Sequence, residues 1–412
     1  MKLPERARRA LLILGSTVVA LSAGELAARI HTRLSAGDIR RERAQLTASL
    51  PATDGKPIYQ AHPYYGYTLR PGVPPADAEG FVDNGRQPVY RRERDEFVIG
   101  LFGGSVAMQL AGVPRALLDR LEPAIRERGY RKVQLRNFAI AGWRQPQTFA
   151  AVMQNLTDLD LVICLDGFNE INTLSDGNLR KHPANFPADL MYGTLALPSR
   201  PEDVLAEAEL IRRDQRIARV TGWLDGSWLR SSVMAHLFWR LYAHAYLTRA
   251  GALREQLRQS IYEQWIWGTA DVSDGAILQK RDRYFAQLAD WIRYTQWAAD
   301  RKGVLFFDFL QPNLHDHGSK PLSAEEQRLA AVKPSQYAHV TDLYARLNLL
   351  ADGLRREGIA VDSLTKLFQS EGETIYSDDC CHFNPKGIEA LGAAIADRIL
   401  ASGRLRNRQP RP

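Results

Sequence analysis

A histidine and neighbouring carboxylates lie close together near the C-terminal end of the chain, within residues 377–385, SDDCCHFNP. Asp379 precedes His382 by three residues, so a turn can bring its carboxylate to the imidazole and fix the tautomer. A helix is predicted to begin directly afterwards, because Asn384 can cap it and Pro385 suits its first turn. The pattern supplies a base and its orienting partner, and it requires a serine or cysteine elsewhere.

Two other interpretations of this cluster remain open from the residues alone. An Asp-x-x-His turn ahead of a helix often has no catalytic role. The acids, cysteines and histidine also suggest a metal site, but metal sites usually draw ligands from a second cluster. The other close histidine pair, His315 and His317, falls in a predicted loop. We therefore expect neither a metal nor a cofactor.

A candidate nucleophile, Ser105, follows an apolar run in residues 97–107, FVIGLFGGSVA. The run has the length of a strand, ends in Gly103 and Gly104, and then becomes compatible with a helix. Glycines allow a tight turn and close approach of substrate to the backbone, which leaves the hydroxyl at the mouth of the turn. Similar turns bind phosphate or nothing, but the lysine of a phosphate loop and the spacing of a dinucleotide fingerprint are missing here.

Two further strand-like segments end in residues that can stabilise negative charge. Residues 133–142 read as a strand that leaves the core in a glycine turn at Gly142, and residues 161–165 form an apolar strand shortly before Asn169. Ligands bind at the carboxyl edge of parallel sheets, so these residues are expected to meet Ser105 there. The Ser105 and Gly142 amides and the Asn169 side chain can then donate to an oxyanion. Each of the last two residues, taken alone, is more typical of an ordinary turn.

Together and in this order, the four blocks resemble those of the SGNH (GDSL-type) hydrolases. The blocks are Gly-Gly-Ser at Ser105, Asn-Phe-Ala-Ile-Ala-Gly at Gly142, Gly-Phe-Asn at Asn169, and the Asp379/His382 pair. The resemblance covers residues 95–170 and 300–402. It implies a three-layer, flavodoxin-like α/β/α fold and a serine esterase, lipase or acyl-transferring activity. It also implies that Ser105 is the nucleophile, His382 the general base and Asp379 its partner, with Ser105, Gly142 and Asn169 as the oxyanion hole.

The chain departs from the family pattern at two positions. Gly104 stands where the family often has Asp before the serine, and Glu170 follows Asn169 where Asp is common. Neither change removes a group that the chemistry requires. Both place the chain away from the best-studied lipases, so the substrate cannot be inferred by analogy.

The composition is that of one large α/β domain with additions. Of the 412 residues, 45% are hydrophobic, which is ample for a sizeable core. Further strand candidates at residues 303–309 and 359–361 alternate with helical patterns such as residues 114–128 and 337–356. This alternation predicts a parallel sheet. The predicted organisation is a membrane segment (1–30), a connecting segment with an extended or β ribbon (31–94), the hydrolase domain (95–402) and a basic tail (403–412).

A long, mostly helical insertion is predicted within the hydrolase domain, over about residues 171–302. It holds seven of the eight tryptophans: Trp223, Trp228, Trp239, Trp265, Trp267, Trp291 and Trp297. Tryptophans at such spacing are most often packed in a core, but indole faces also suit sugar rings, acyl chains and membrane surfaces. The insertion is placed to act as a lid or specificity wall beside the active-site edge.

The first 30 residues are predicted to be a membrane segment. Basic residues within positions 2–9 precede an apolar run over residues 10–23, and Glu25 is the one charge between there and Ala28. The pattern is typical of an uncleaved signal anchor, with a cleaved signal peptide or a soluble amphipathic start as alternatives. Arginines on both sides weaken the positive-inside rule as a guide to orientation. We expect the remainder of the chain in the periplasm or another extracytoplasmic space.

The net charge and the cysteines say less about the function than the motifs do. The net charge of +7 is spread over Arg-rich helices and termini, without the aromatic-basic interleaving of nucleic-acid-binding proteins, so no nucleic-acid partner is expected. Cys164 falls in a predicted core strand. Cys380 and Cys381 are neighbours, and packing beside the catalytic loop is favoured over a strained vicinal disulfide.

The sequence thus predicts a membrane-anchored serine esterase that cleaves acetyl or short-chain acyl esters of a carbohydrate or lipid through an acyl-serine intermediate. An O-acyltransferase that modifies cell-surface polysaccharide is the first alternative. A non-catalytic glycan-binding or assembly protein on the same fold is the second. The expected partners are an acyl-ester substrate, a cell-surface glycan and, through the N-terminal helix, the membrane.

Overall fold

The computed structural model describes residues 5–49, 58–82, 95–181, 184, 200–265 and 273–407. The chain divides into two compact units. Residues Met1–Ile58 and Ala196–Trp265 form a helical unit, and residues Tyr59–Leu195 and Ile266–Pro412 form the unit that contains the sheet. The predicted connecting segment, residues 31–94, is thereby shared between the two units, and so is the predicted insertion.

The elements in the described residues are as follows. The strands are β1 (Tyr59–His62), β2 (Gly66–Leu69), β3 (Glu96–Gly103), β4 (Lys132–Ala139), β5 (Leu161–Asp166), β6 (Leu305–Leu310) and β7 (Val361–Ser363). The α-helices are α1 (Glu5–Thr32), α2 (Ala36–Ser49), α3 (Ser105–Ala111), α4 (Arg115–Arg126), α5 (Gln147–Asn155), α6 (Phe168–Asn172), α7 (Asp176–Lys181), α8 (Pro201–Gly226), α9 (Val233–Trp265), α10 (Asp274–Arg301), α11 (Ala324–Ala330), α12 (Pro334–Tyr337), α13 (Val340–Arg356), α14 (Pro385–Ala401) and α15 (Arg404–Asn407).

Five strands form one parallel sheet in the order β4-β3-β5-β6-β7. Helices flank the sheet, and strands β3, β5 and β6 are buried along their whole length. Burial on both faces explains why these strands read as almost continuous apolar runs. The predicted α/β class with a parallel sheet is confirmed, and the arrangement is consistent with three layers. Numbered within this sheet, the order is 2-1-3-4-5, which reverses direction beside β3.

The last long helix, α14, buries the predicted apolar stripe in the main core. Ile388, Leu391 and Ile395 are all buried in the main core. The helix passes very close to α4, since a Cβ added at Gly392 would lie 2.7 Å from the Cβ of Ala116. Glycine at this crossing therefore fixes α14, whose first turn follows the histidine loop, against the helix pair α3–α4.

The helical unit has its own small core, in which Ile217 and Trp239 are buried. The carboxylate of Glu25, the one charge inside the predicted membrane segment, accepts hydrogen bonds from the Val233 and Met234 amides at 2.8 and 3.0 Å. It thereby satisfies two amides that the start of α9 leaves without helical partners. Among the helices that the structure describes, none combines the length and the apolar character needed to cross a membrane.

The tryptophans of the predicted insertion do not share one environment. Trp239 is buried, and its Nε1 donates to Thr221 Oγ1 at 2.9 Å, while Trp291 packs partly buried against the main core. Three others are exposed: Trp223, Trp228 and Trp297. The side chains of Trp265 and Trp267 lie outside the described part of the chain. The packing interpretation thus fits Trp239 and Trp291.

Candidate active site

Ser105 is the first residue of α3 and follows β3 through a turn that requires glycine. Gly103 has φ +140°, and a Cβ added there would lie 2.5 Å from the carbonyl oxygen of Leu165 in the neighbouring strand. A side chain is excluded on both counts. The chain can therefore turn sharply from strand to helix and present the hydroxyl at the carboxyl edge of the sheet.

The imidazole of His382 joins Ser105 to a carboxylate. Its Nε2 lies 2.7 Å from Ser105 Oγ, and its Nδ1 is hydrogen bonded to Oδ2 of Asp378. Because a carboxylate accepts, Nδ1 carries the proton, and Nε2 is left to accept from the serine hydroxyl. Burial alone would raise the pKa of Asp378, but the hydrogen bond and charge of His382 and two backbone amides hold it well below its usual range. The carboxylate is therefore ionised at neutral pH.

The structure corrects the sequence prediction for Asp379. The carboxylate that orients His382 belongs to Asp378, one residue earlier, whereas Asp379 Oδ2 pairs with the partly exposed Lys333 Nζ at 2.9 Å. The two acids are neighbours in sequence, so the conformation of the turn alone decides which of them reaches the ring.

Backbone amides explain why the turn selects Asp378. Its Oδ1 accepts from the amides of Cys380, Cys381 and His382 at 3.0, 3.0 and 3.2 Å, an extended form of the Asx turn. The amide of Ser377 donates to the His382 carbonyl at 3.0 Å and closes the loop. The Asp378 side chain thus lies inside the loop, where Oδ2 is held against the ring.

Gln109 connects the histidine loop to α3, the helix that carries Ser105. It lies four residues after Ser105 on α3, so both side chains project from the same side of the helix. Its Nε2 donates to the Phe383 carbonyl at 2.6 Å, and its Oε1 accepts from the Phe383 amide at 3.1 Å. On the C-terminal side, Asn384 Oδ1 accepts from the Gly387 amide at 2.9 Å, which is the predicted helix cap.

Asn313 and His315, which follow β6 in the chain, hold the other side of the histidine loop. His315 Nε2 lies 2.8 Å from the Asp379 carbonyl oxygen, and Asn313 Nδ2 donates to the Cys380 carbonyl at 3.2 Å. A carbonyl only accepts, so Nε2 of His315 carries a proton. Burial lowers the pKa of His315, which favours the neutral ring. Across the described ranges, no three His, Cys, Asp or Glu side chains are grouped so that they could hold a metal ion.

The segments that carry the predicted oxyanion residues come together beside Ser105. Asn169 Nδ2 donates to the Trp143 carbonyl at 2.8 Å, and a Cβ on Gly104 would overlap that same nitrogen. The Asn169 amide therefore lies directly against the residue before Ser105 and beside the residue after Gly142. An amide NH₂ has two hydrogens, so one remains for a ligand oxygen. The departure at Gly104 now has a physical reason, since a side chain there would displace Asn169.

The β1–β2 ribbon supports the loop that carries Gly142. Tyr67 donates its hydroxyl to the Ala141 carbonyl at 2.8 Å, and Trp143 Nε1 donates to the Tyr67 carbonyl at 3.1 Å. Tyr65 packs against the Trp143 ring with centroids 5.0 Å apart. The ribbon predicted for residues 31–94 is present at residues 59–69, and it clamps the loop from both sides.

Glu170 links the loop after Gly142 to the turn before Asn169. Its carboxylate accepts from the Gly167 amide at 2.6 Å and from the Gln145 amide at 3.2 Å. Burial raises the pKa of Glu170 and, in the same cluster, that of Asp166. Burial, together with the charge of Glu170, also raises the pKa of Asp308 on β6 to about 8. Glu170, the second departure noted in the sequence, thus holds these two loops together through its hydrogen bonds.

The arrangement combines a hydroxyl, a base, a half-buried orienting anion and amide donors, which is the set that acyl transfer requires. Comparison of the chain with protein-family models and with curated proteins found no match to either. Sequence reasoning missed Asp378, Gln109 and Asn313. The tendency of Asp378 to form an Asx turn was a usable local signal. Gln109 and Asn313 contact residues that are far away in the sequence, so no local pattern marks them.

Proposed function

We propose that the protein is a serine esterase of the SGNH type. The single observation that carries this proposal is the continuous hydrogen-bonded relay from Ser105 through His382 to Asp378 at the carboxyl edge of the sheet. Support for the family comes from the 2-1-3-4-5 strand order, which is that of flavodoxin-like sheets, and from the four blocks in their expected order.

The proposed reaction begins with proton transfer from Ser105 Oγ to His382 Nε2. The freed oxygen attacks the acyl carbonyl, and the imidazolium is stabilised by the Asp378 carboxylate. The imidazolium then gives its proton to the departing alcohol, leaving an acyl-serine. Water, deprotonated by the same imidazole, releases the acid and restores the hydroxyl.

Three donors are proposed to hold the oxyanion: the Ser105 amide, the Gly142 amide and the second hydrogen of the Asn169 amide. Donors fixed in advance at the position of developing charge stabilise the transition state more than the substrate, and the removal of one typically costs 10²–10³-fold in rate. The ribbon and Glu170 serve this preorganisation, because they fix the two loops that present the donors.

We further propose acetyl or short-chain esters of a carbohydrate or lipid as substrates, with the catalytic unit outside the cytoplasm and residues 1–30 as its anchor. The basic start and apolar run support the anchor. Full-length protein that stays in the membrane pellet after carbonate extraction, with an intact N-terminal peptide by mass spectrometry, would agree with this. Release into the supernatant, or a trimmed N-terminus, would exclude an uncleaved anchor.

The activity is tested with p-nitrophenyl acetate and longer acyl homologues. We expect hydrolysis by the wild type, a loss of about 10³-fold or more in Ser105→Ala, and full activity in Ser402→Ala, a serine outside the site. Equal rates in wild type and Ser105→Ala would refute the proposal. If turnover appears only when a glycan acceptor is added, the protein would be assigned as an acyltransferase and not as a hydrolase.

A further inference from the structure

The catalytic loop contains a pair of adjacent thiols in contact. Cys380 Sγ and Cys381 Sγ lie 2.9 Å apart, and both cysteines are free. A disulfide bond is about 2.05 Å long, so a movement of about 1 Å separates this contact from a covalent bond. Both residues donate their amides to Asp378 Oδ1, and this turn brings two neighbouring side chains to the same side of the backbone.

The two thiols differ in accessibility to solvent, so they are expected to play different roles in a reaction with an external reagent. Cys380 is half-buried, whereas Cys381 is buried. The hydrogen bond with Cys380, followed by burial, raises the pKa of the Cys381 thiol. Cys380 is therefore the sulfur that an external reagent reaches first. The third cysteine of the chain, Cys164, is buried in β5, and burial raises the pKa of its thiol well above the usual range.

We propose that Cys380 and Cys381 form a thiol–disulfide exchange site for small disulfides, and that its closure switches off the neighbouring Ser105–His382 pair. The Cys380 thiolate attacks one sulfur of a disulfide R–S–S–R, forms a mixed disulfide and releases RS⁻. The Cys381 thiolate then attacks Cys380 Sγ, forms the Cys380–Cys381 bond and releases the second RS⁻. Two thiols are oxidised, two protons are lost, and the small disulfide is reduced to two thiols.

Closure acts on the site through the peptide that the new ring contains. The Cys380 carbonyl accepts from Asn313 Nδ2, and the Cys381 amide donates to Asp378 Oδ1. An eight-membered ring constrains this peptide, so we expect closure to lengthen or break at least one of these two hydrogen bonds. The Asp378 carboxylate then loses a donor that fixes it against His382. Strain in the ring also makes the disulfide easy to reduce, which keeps the modification reversible.

The switching part of this inference rests on the proposed esterase function, while the exchange chemistry does not. Disulfide reagents are an available oxidant class in extracytoplasmic compartments, where the catalytic unit is proposed to reside. The experiment therefore reads the covalent state and the activity separately.

Purified full-length protein is incubated with oxidised glutathione, and its intact mass and esterase rate are measured before and after dithiothreitol. After this incubation we expect the protein mass to be lower by two hydrogens, with no glutathione attached, and the peptide map to assign the link to Cys380–Cys381. We expect the esterase rate to be at least about 10-fold lower and to be restored by the reductant. Cys380→Ser and Cys381→Ser should lose this sensitivity, and Cys164→Ala should keep it. The ratio of reduced to oxidised rate within each variant is compared, so differences in basal rate cancel.

A stable mixed disulfide without ring closure, or closure that leaves the rate unchanged, overturns the switch. Sensitivity that persists in Cys380→Ser overturns it as well. If the reduced protein hydrolyses no ester, the proposed function fails, and the mass and peptide map alone then decide whether the exchange site exists.

Discussion

The substitution Asp378→Asn separates the roles of two adjacent acids and follows directly from the hydrogen bonds of the loop. Oδ1 of Asp378 accepts from three backbone amides, so an asparagine keeps its oxygen there and turns its NH₂ toward His382 Nδ1. An NH₂ group donates, so Nδ1 must then be unprotonated and the ring proton moves to Nε2. That nitrogen can no longer accept from Ser105.

We expect kcat/KM for p-nitrophenyl acetate to fall about 10³–10⁴-fold in Asp378→Asn, which corresponds to about 4–5.5 kcal/mol of lost transition-state stabilisation. The matched control is Asp379→Asn, whose carboxylate pairs with Lys333 at the surface, and its rate should stay within about threefold of wild type. Circular dichroism and thermal unfolding establish that both variants fold. An equal loss in Asp379→Asn, or a Asp378→Asn rate above about a tenth of wild type, would refute the assignment.

Three further outcomes follow from other contacts. Gly104→Ala places a methyl group on the Asn169 amide and should lower kcat/KM about 10²-fold through loss of one oxyanion donor; a rate within twofold of wild type would contradict this. Gln109→Ala should lower kcat about 10-fold or more, whereas Gln296→Ala, which breaks a similar pair of bonds to backbone away from the site, should lower only the melting temperature. Asp308→Asn should match wild type in free energy of unfolding near pH 4 and exceed it progressively up to about pH 8. In the wild type, burial keeps the Asp308 carboxyl protonated in the folded state at pH values at which the unfolded chain has already released this proton. Urea titrations that show no pH-dependent difference between the two proteins would exclude the raised pKa of Asp308.

The parallel sheet was predictable because its signals are local. Each core strand is an apolar run that ends in glycine or a polar turn residue, and the run before Ser105 shows this most clearly. The placement of Ser105, Gly142 and Asn169 followed from the rule that parallel strands present their carboxyl ends at one edge, whereas His382 was found from its spacing to a carboxylate and from the helix signals that follow it. The structure brings these segments together at that edge.

The orienting acid was not predictable from spacing alone. Asp378 and Asp379 both lie within reach of His382, and three backbone amides and the side chains of Asn313 and His315 set the turn that selects between them. The helical unit was also missed, because its two parts join through contacts such as Glu25 to Val233, about two hundred residues apart. No local pattern encodes such a pairing.

The central claim is most directly tested by labelling the full-length protein with a fluorophosphonate and mapping the modified residue by mass spectrometry. A reactive serine is expected at Ser105, with labelling abolished in Ser105→Ala and strongly reduced in His382→Ala, and with both variants folded as judged by circular dichroism. Labelling at another residue, labelling of Ser105 that is indifferent to His382, or no labelling of the folded wild type would contradict a catalytic Ser105–His382–Asp378 relay.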